Sequence, residues 1–432
     1  MREGRPSRTA ELMALFRALE TVRPARTRLF EDPLAAQFLG ALFRTVLLLG
    51  RLPGGVDAIT WIIERRWGGP LGSGVCRTRY IDDALSAAVR GGVEQVVLLG
   101  AGFDARPYRL AGIERARVFE VDHPATQAVK RARLAGAIPR HVTFVPVDFA
   151  RDRLDDAMAA GGFRRDRRTF FLWEGVTNYL DAAAVDATLG WIAAAGGPGS
   201  ELLFTYVDRA MLDGSRAFEG AAEGRATVGR FGEPFTFGLD PATIDAYLAA
   251  RGLDLVEDVA APDYRTRYLR PLGRTLKLWE FYRAARARVG AVRVERVAGG
   301  ELSRCRAIRR EVFVEEQGVP LAEEMDAHDA TAVHFLALVD DAPIGTARLR
   351  ITGEGAAKAE RVAVLARFRR RRAGVALMAA VEDAARAEGH GEMVLNAQVP
   401  VVGFYERLGY RAEGPEFVEA GIPHRAMRKR LS

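Results

Sequence analysis

A short glycine turn after an apolar run holds the first residues that could do chemistry. Residues 95–106 read Gln-Val-Val-Leu-Leu-Gly-Ala-Gly-Phe-Asp-Ala-Arg, which places Gly100 and Gly102 at the end of a predicted buried strand. Glycines at this point let the backbone turn sharply and approach a ligand without side-chain obstruction. Two glycines also occur in turns that serve packing alone, so the turn needs support from its surroundings.

Acidic residues at the ends of the next two apolar runs supply that support. One run ends at Asp122, which lies 22 residues beyond Gly100, and the other ends at Asp148 with Phe149 next to it. An aspartate at the tip of a second strand can accept hydrogen bonds from both ribose hydroxyls. Asp148 could accept from an adenine amino group, and Phe149 could flank the ring. Because the ends of parallel strands meet on one rim of a sheet, these residues predict a nucleoside site.

A dinucleotide site is the alternative for the same turn. Its fingerprint asks for a third glycine, and Ala105 stands at that position, which the looser form of the fingerprint tolerates. A long helical region precedes the turn, and no set of residues typical of nicotinamide chemistry is evident. These features favour a mononucleoside cofactor over NAD.

Arginines and small residues before a helix form the second candidate set. A predicted strand ends near Leu365, an arginine-rich loop follows, and a helix begins at about Gly374. The N–H groups and the dipole at a helix N-terminus bind pyrophosphate well. Arg371 and Arg372 add positive charge; a solvated basic loop and a nucleic-acid contact are the alternatives. The small residues that permit close approach are Ala373, Gly374 and Ala376.

The elements that must position the first set are short apolar runs separated by helix-length segments. This alternation predicts βα units and a parallel sheet covered on both faces, preceded by helices within residues 8–50. The predicted strands are 95–100, 116–121, 142–147, 170–173 and 202–206.

A second series of strands begins near Val292, after the basic stretch 281–289, which favours a helix. Another helix is predicted at 373–388, among the strands of this second series. We therefore place a domain boundary at about Gly290, which gives domains of residues 1–290 and 291–432. The predicted strands of the second domain are 334–339, 344–351, 360–365 and 393–397.

Composition excludes several classes of protein. The 432 residues include only two cysteines, Cys76 and Cys305, without ligand spacing to each other or to a histidine. We therefore expect no metal site and no disulfide scaffold, and a reducing cytoplasmic location.

The first residues do not read as a signal peptide, and the apolar stretch 45–50 is too short to span a bilayer. The net charge of +7 suits an anionic ligand such as CoA, and we expect neither a nucleic-acid nor a membrane partner.

Six segments of the first domain resemble the leucine carboxyl methyltransferase family, which are class I S-adenosylmethionine (SAM)-dependent O-methyltransferases. The resemblance implies a Rossmann-like α/β domain with a mostly parallel seven-stranded sheet. It also implies that Arg77 pairs with the SAM carboxylate, that Gly100 is the loop glycine, and that Asp122 binds the ribose. Asp148 and Phe149 would then contact adenine, and Glu174 would be an acid of the cofactor pocket. The six segments are 32–35, 76–83, 99–106, 119–124, 147–149 and 172–180.

The acceptor side of this first site is much less defined. If the acceptor is already a carboxylate, no general base is needed, and Arg79 or Arg106 could hold it. A hydroxyl acceptor would need a base, for which His123 is the nearest histidine candidate, although a capping role suits it equally. The glycine- and aromatic-rich segment 208–241 could form the lid and the acceptor pocket.

The loop of the second domain resembles the signature of the GNAT acetyltransferases. Arg371-x-x-Gly374-x-Ala376 matches their R/Q-x-x-G-x-G/A motif, with Ala376 in place of the more frequent final glycine. The resemblance implies an α/β domain with a mixed sheet that binds acetyl-CoA. Further resembling segments are 308–320, 326–334, 395–398, 404–410 and 416–424.

The GNAT resemblance also implies individual roles. Val362 and Val364 would offer backbone groups to the pantetheine and the acetyl carbonyl, Asn396 would help to hold the cofactor, and Tyr405 would protonate the departing thiolate. The pyrophosphate would lie on the loop residues. Those loop residues are Arg371, Arg372, Ala373, Gly374, Val375 and Ala376, and the candidate bases for the amine are Glu315, Glu316 and His424.

The leading hypothesis is therefore a bifunctional transferase, with O-methylation in the first domain and N-acetylation in the second. The acceptors would be small molecules or protein carboxylates and amines. One alternative is that only one domain is active and the other senses a cofactor or acts as a scaffold. A nucleic-acid modifier would depend only on the basic charge and the arginine cluster, without a recognised nucleic-acid module.

Overall fold

The computed structural model describes most of the chain. It covers residues 8–136, 138–148, 151–197, 199–230, 234–249, 251–290, 292–297, 302–339, 341–353, 355–369 and 372–431. The chain divides into two compact units, Met1–Ala249 with Leu253–Val289, and Ala250–Gly252 with Gly290–Ser432.

The first unit is built on a seven-stranded sheet with the spatial order β3-β2-β1-β4-β5-β7-β6. Its first five strands run parallel, and β7 is antiparallel to both β5 and β6. This is the predicted, mostly parallel sheet, and its order reverses at β1 and β4. The strands are β1 (Gln95–Leu99), β2 (Arg117–Asp122), β3 (Val142–Pro146), β4 (Thr169–Trp173), β5 (Glu201–Val207), β6 (Leu253–Val259) and β7 (Tyr282–Val289).

The continuous apolar runs of these strands reflect burial on both faces of the sheet. Along β1, Val96 and Leu98 pack into one hydrophobic core, whereas Val97 and Leu99 pack into a second core on the opposite face. Side chains alternate between faces along a strand, so a strand covered on both sides is apolar at most of its positions.

Helices cover both faces of this sheet, and several of them precede its first strand in the chain. They are α1 (Arg8–Val22), α2 (Ala41–Gly50), α3 (Gly55–Trp67), α4 (Pro70–Arg90), α5 (Arg106–Arg109), α6 (Pro124–Arg133), α7 (Leu154–Ala160), α8 (Ala182–Ala195), α9 (Arg209–Asp213), α10 (Ala221–Arg230), α11 (Ile244–Ala249) and α12 (Ala261–Tyr264).

The helix predicted from the stretch 281–289 is wrong, because these residues form strand β7. Alanine and arginine favour helices in isolation, but pairing with strands on both sides outweighs that preference. The arginines of β7 also find cross-strand partners on β6: Arg283 lies 2.7 Å from Asp258, and Arg286 lies 3.3 Å from Glu257.

The second unit contains a mixed seven-stranded sheet with the order β13-β14-β12-β11-β10-β9-β8. Only β11 and β12 pair in parallel, and the other neighbours are antiparallel. The strands are β8 (Arg293–Arg296), β9 (Val333–Val339), β10 (Ala342–Ile351), β11 (Ala357–Val364), β12 (Glu392–Gln398), β13 (Arg411–Glu419) and β14 (Ile422–Arg430).

Both faces of this second sheet are also covered. Leu377 and Val381 of one helix pack on one face, and Cys305 and Ile308 of another pack on the other. The π-helical turn Arg310–Glu316 continues the second of these helices. The helices of this unit are α13 (Leu302–Arg309), α14 (Leu321–Glu324), α15 (Ala373–Ala387) and α16 (Val402–Arg407).

Across the part of the chain that the structure describes, no helix has both the length and the apolar character needed to cross a bilayer.

Candidate functional sites

The glycine turn of the first unit lies directly after β1, at the carboxyl edge of the sheet. Gly100 has a φ of +70°, and its N–H donates to the carbonyl of Val121 over 2.8 Å. A Cβ atom at this position would lie 2.5 Å from Cγ2 of Val176, which follows β4. The turn therefore needs glycine for its left-handed backbone and for the close approach of the neighbouring loop.

Asp122 ends β2 and closes this turn from the adjacent strand. Its Oδ2 accepts from the N–H of Gly102 over 2.6 Å, and its Oδ1 accepts from the N–H of His123 over 2.6 Å. Burial raises the pKa of Asp122, and the two backbone hydrogen bonds oppose that rise. His123 uses its Nδ1 to accept from the N–H of Ala125, so it caps α6.

Asp148 lies beyond β3 on the same edge and is partly exposed. Its N–H donates to Oδ2 of Asp152 over 2.8 Å. Its Oδ2 lies 3.7 Å from Nε of Arg151. The structure thus places Asp122 and Asp148 at the ends of neighbouring strands, whereas Phe149 lies outside the described residues.

Arg77 and Glu174 meet although 97 residues separate them in the chain. Arg77 lies on α4 and Glu174 directly follows β4, and Nε of the arginine donates to Oε1 over 2.7 Å. Burial acts to lower the pKa of Arg77, but its neighbours Tyr282 and Glu174 raise it above its ordinary value. Burial acts to raise the pKa of Glu174, and the stronger effect of Arg106 and Arg77 lowers it to about 2.

These two residues belong to a larger buried network of four arginines and four acids. The network joins four of the six segments that carry the family resemblance, which linear spacing did not reveal. Because cations and anions alternate through it, each buried charge has a partner of opposite sign. Its ion pairs are Arg17–Asp32 (2.8 Å), Arg109–Asp32 (3.7 Å), Arg109–Asp82 (2.8 Å), Arg106–Asp82 (2.8 Å), Arg106–Asp104 (2.6 Å), Arg106–Glu174 (2.8 Å) and Arg77–Glu174 (2.7 Å).

Arg79 and Arg106 are the two arginines that were suggested to hold a carboxylate acceptor, and both have partners within the protein. Arg106 is buried and already contacts three carboxylates. Arg79 is half-exposed and donates to Asp83 one turn further along α4, over 2.9 Å. Both arginines therefore have internal partners, and the acceptor side of this site stays a prediction.

Tyr282 lies beside Arg77 and was not singled out from the sequence. The guanidinium of Arg77 lies 4.8 Å above the ring centroid of Tyr282. The hydroxyl of Tyr282 lies 3.4 Å from Oγ1 of Thr205 and 3.5 Å from Oδ1 of Asn178. Tyr282 was missed because its stretch, 281–289, was predicted to favour a helix, whereas Asn178 lies in the resembling segment 172–180 and Thr205 in a predicted strand.

The lid predicted at 208–241 contains α9 and α10 and contributes aromatic side chains near this edge. Phe218 lies 6.0 Å from Phe281, and Phe235 lies 5.8 Å from Tyr179 between ring centroids. Phe231 of the same segment lies outside the described residues.

The second candidate site is at the N-terminus of α15. Arg372 precedes the helix with a φ of +60°, and its carbonyl accepts the first helical hydrogen bond, from the N–H of Ala376 over 2.9 Å. The N–H groups of Ala373, Gly374 and Val375 therefore have no partner within the helix and are suited to bind an anion. Arg371 lies outside the described residues.

Gly374 allows this helix end to approach α16 closely. A Cβ atom at Gly374 would lie 3.1 Å from Cζ of Phe404. The neighbouring Tyr405 is buried, and its ring packs against Phe404 at 4.9 Å and Tyr410 at 5.8 Å. Burial raises the pKa of Tyr405 to about 12, so its hydroxyl keeps its proton at neutral pH.

The parallel strands β11 and β12 separate beside this helix end. Over these two fully described strands they pair at two positions, Ala357 with Met393 and Lys358 with Val394. Beyond these positions β12 pairs with β14, and β11 pairs with β10. The backbone of β11 that contains Val362 and Val364 therefore borders a gap in the sheet.

Several of the remaining predicted residues of the second unit already have partners. The amide of Asn396 donates to Oε2 of Glu419 over 2.9 Å. Arg369 donates through both Nη atoms to the carboxylate of Glu316, each over 2.7 Å. His424 stacks on Phe417 and lies across from Gln398 in the sheet. Glu315 is exposed, so no candidate base is singled out by its contacts.

Asp326 and Asp329 accept hydrogen bonds from buried arginines, which indicates a structural role. Arg348 is buried, and its Nη atoms donate to both carboxylates over 2.6–2.8 Å. Asp329 also accepts from Arg309, and its carbonyl lies 3.0 Å from Nε2 of His334. These contacts fix the loop before β9 to the sheet.

Two family models match the chain. Residues 10–193 match the model described as leucine carboxyl methyltransferase. Residues 300–431 match the model described as acetyltransferase (GNAT) domain.

Individual relatives match each half separately. A Frankia alni protein named as an S-adenosyl-L-methionine-dependent methyltransferase is 38% identical over 231 residues, covering 50% of this chain and 74% of that protein. A Bacillus subtilis protein named as an acetyltransferase is 41% identical over 125 residues, covering 28% of this chain and 84% of that protein. The crystal structure of a Lactobacillus plantarum N-acetyltransferase is 27% identical, with a TM-score of 0.31, and covers 33% of this chain and 99% of its own.

Proposed function

Because the chain belongs to the leucine carboxyl methyltransferase family in its N-terminal part and to the GNAT acetyltransferases in its C-terminal part, we propose that it is a bifunctional transferase. The first unit would transfer the methyl group of SAM to a carboxylate or hydroxyl oxygen, and the second would transfer the acetyl group of acetyl-CoA to an amine. The observation that supports this most is that residues able to contact a cofactor lie at the carboxyl ends of the parallel strands in the first unit, and beside the separation of β11 from β12 in the second.

The residues of the first unit fit SAM. SAM supplies an electrophilic methyl group on a sulfonium. The left-handed turn at Gly100 follows β1, Asp122 ends the next strand as a ribose acceptor, and Asp148 lies beyond the end of the third strand. The fork of Arg77 can bind the carboxylate, and Glu174 can accept from the amino group. Since methyl transfer is an in-line displacement, these residues would act mainly by positioning the reactants and excluding water.

The residues of the second unit fit acetyl-CoA. Acetyl-CoA supplies an activated thioester. The N–H groups of Ala373, Gly374 and Val375 would hold the pyrophosphate, aided by Arg372. The free edge of β11 at Val362 and Val364 would bind the pantetheine and orient the carbonyl. The hydroxyl of Tyr405, which its raised pKa keeps protonated at neutral pH, would donate its proton to the departing thiolate.

Titration of the intact chain with each cofactor tests both halves. Calorimetry should show one site for SAM and one for acetyl-CoA, and Arg77→Ala should weaken SAM binding by about 10-fold or more through loss of a charge-assisted hydrogen bond. Acetyl-CoA binding by that variant serves as the control and should stay unchanged. Absence of SAM binding by the parent chain would reject the methyltransferase half.

Product formation distinguishes two enzymes from one. With labelled donors and candidate acids and amines, both units should release demethylated or deacetylated cofactor in an acceptor-dependent way. If one unit binds its cofactor but transfers nothing, while the other is active, that unit is a sensor or scaffold and the bifunctional proposal is wrong.

A further inference from the structure

We propose that Tyr282 is a positioning residue that holds the guanidinium of Arg77 ready for the carboxylate of SAM. The inference rests on the proposed cofactor of the first unit. It assigns a role to the start of β7, a strand on the far side of the sheet from the glycine turn and outside every segment that carries the family resemblance.

Two sides of the Arg77 guanidinium are already fixed. One face lies 4.8 Å above the ring centroid of Tyr282, and the Nε edge donates to Glu174 over 2.7 Å. Nη2 lies 3.7 Å from the sulfur of Met13, and a thioether is a weak acceptor. The Nη edge is therefore the side of the guanidinium on which a strong, bidentate anionic partner can bind.

Tyr282 can act as a support because its own position is over-determined. It pairs with Val207 in the register between β5 and β7. Its ring is buried in a cluster with Phe281 and Met211. Its hydroxyl contacts Thr205 and Asn178, which are both fully buried. Because the backbone, ring and hydroxyl of Tyr282 are all held in place, the ring provides a rigid surface against which the long, flexible side chain of Arg77 can pack.

The charge balance also leaves Arg77 suited to a second anion. Glu174 is shared, since Arg106 donates to its Oε2 over 2.8 Å while Arg77 donates to Oε1. Because Glu174 is shared, it compensates the charge of Arg77 only in part, whereas Arg106 also contacts Asp82 and Asp104. The quadrupole of the Tyr282 ring stabilises the cation without occupying its hydrogen-bond donors.

A positioning role can be separated from simple core packing by the choice of ligand. S-adenosylhomocysteine carries the amino-acid carboxylate, whereas 5′-methylthioadenosine has the same nucleoside and a thioether but lacks that carboxylate. Loss of the support should weaken the first ligand only. Loss of packing would change the site for both.

The experiment measures both dissociation constants by calorimetry with the full chain and with Tyr282→Leu, Tyr282→Phe and Arg77→Ala. Tyr282→Leu should weaken S-adenosylhomocysteine binding by roughly 2- to 30-fold, the range of a cation–π contact. It should leave 5′-methylthioadenosine binding unchanged. Tyr282→Phe keeps the ring and should behave like the parent. On the Arg77→Ala background, Tyr282→Leu should have no further effect, because the two residues act through one contact.

Several results would overturn the inference. Equal weakening of both ligands by Tyr282→Leu would make the ring a packing element, and no weakening of either would remove any role. Damage by Tyr282→Phe equal to that of Tyr282→Leu would assign the effect to the hydroxyl. If Tyr282→Leu does not fold, Tyr282→Met, which keeps side-chain length without a ring, takes its place with the same expectations. A parent chain that binds neither ligand would instead reject the methyltransferase proposal itself.

Discussion

Glu174 is a carboxylate of the first site that holds two buried arginines at once. Its pKa falls from an ordinary value of 4.5 to about 2. A lowered carboxyl pKa contributes stability that is complete above the unfolded pKa and disappears as the pH falls through the folded one. The contribution should therefore be lost between about pH 4.5 and 2, and amounts to about 3 kcal/mol.

Glu174→Gln tests this contribution directly. Its unfolding free energy, from denaturant titrations at several pH values, should be lower than that of the parent at pH 7. The difference should shrink as the pH approaches 2. Glu114→Gln, at an exposed position of the same unit, is the control and should follow the parent at all pH values. A difference that persists unchanged to pH 2 would contradict the assignment.

Tyr405 gives a prediction for the second site. With its pKa raised to about 12, it should act as a proton donor throughout the neutral and alkaline range. Tyr405→Phe should slow single-turnover acetyl transfer by about 100-fold or more, as for loss of a general acid, with little change in acetyl-CoA affinity. Tyr410→Phe alters a neighbouring buried tyrosine whose hydroxyl bonds to Glu382, and should retain the rate. Comparable slowing in both variants would point to packing rather than proton transfer.

Single residues were predictable where chemistry and spacing coincide, and less so where partners come from distant segments. Gly100, Asp122 and Gly374 were singled out because each stands at a predicted strand end or helix start, and the structure has them at those positions, while their roles toward a cofactor stay predictions. The pairing of Arg77 with Glu174 could not be found, since no local rule links α4 to the end of β4. Tyr282 was missed because the stretch that contains it was predicted to favour a helix.

The turn after β1 is the element that carries most of the first site's geometry. Gly100→Ala meets two penalties there, the left-handed φ of +70° and a Cβ atom 2.5 Å from Val176. Gly112→Ala meets only the first, because its φ is +85° and no atom of the described residues lies within 4 Å of its added Cβ. The pair thus separates backbone strain from steric contact.

Gly112→Ala should lower the unfolding free energy by about 1–2 kcal/mol, and Gly100→Ala by about 1–3 kcal/mol more. Only Gly100→Ala should also weaken SAM binding. Denaturant unfolding and calorimetry on both variants measure these quantities. Equal losses in the two variants would mean that the approach of Val176 has no energetic role.

Element boundaries were predictable where burial on both faces gives continuous apolar runs. Strands β1 to β5 and helix α15 begin and end within three residues of their predicted limits. β7 was predicted as a helix because its alanine and arginine residues suit a helix as well as a strand with one partly exposed face. Local propensity cannot reveal that β5 and β6 lie on either side of it.

The whole molecule comprises two units with separate hydrophobic cores. We therefore expect two unfolding transitions in scanning calorimetry of the intact chain. SAM at about 100 times its Kd should stabilise one unit by about 2.7 kcal/mol, or about 5–10 °C for a unit of this size, and acetyl-CoA should shift only the other transition. One transition that both ligands shift would show that the units unfold together.

The separation of β11 from β12 has a consequence for exchange of backbone protons with solvent. A parallel pair normally protects its amides along its full length, whereas here protection between the two strands ends after Lys358 and Val394. Amides of residues 361–364 that face the gap should exchange rapidly in the free protein, although the strand lies in the middle of the sheet. An acetyl-CoA molecule bound in that gap would replace the missing strand neighbour, so the slowing of these protons would report occupancy without any acceptor present.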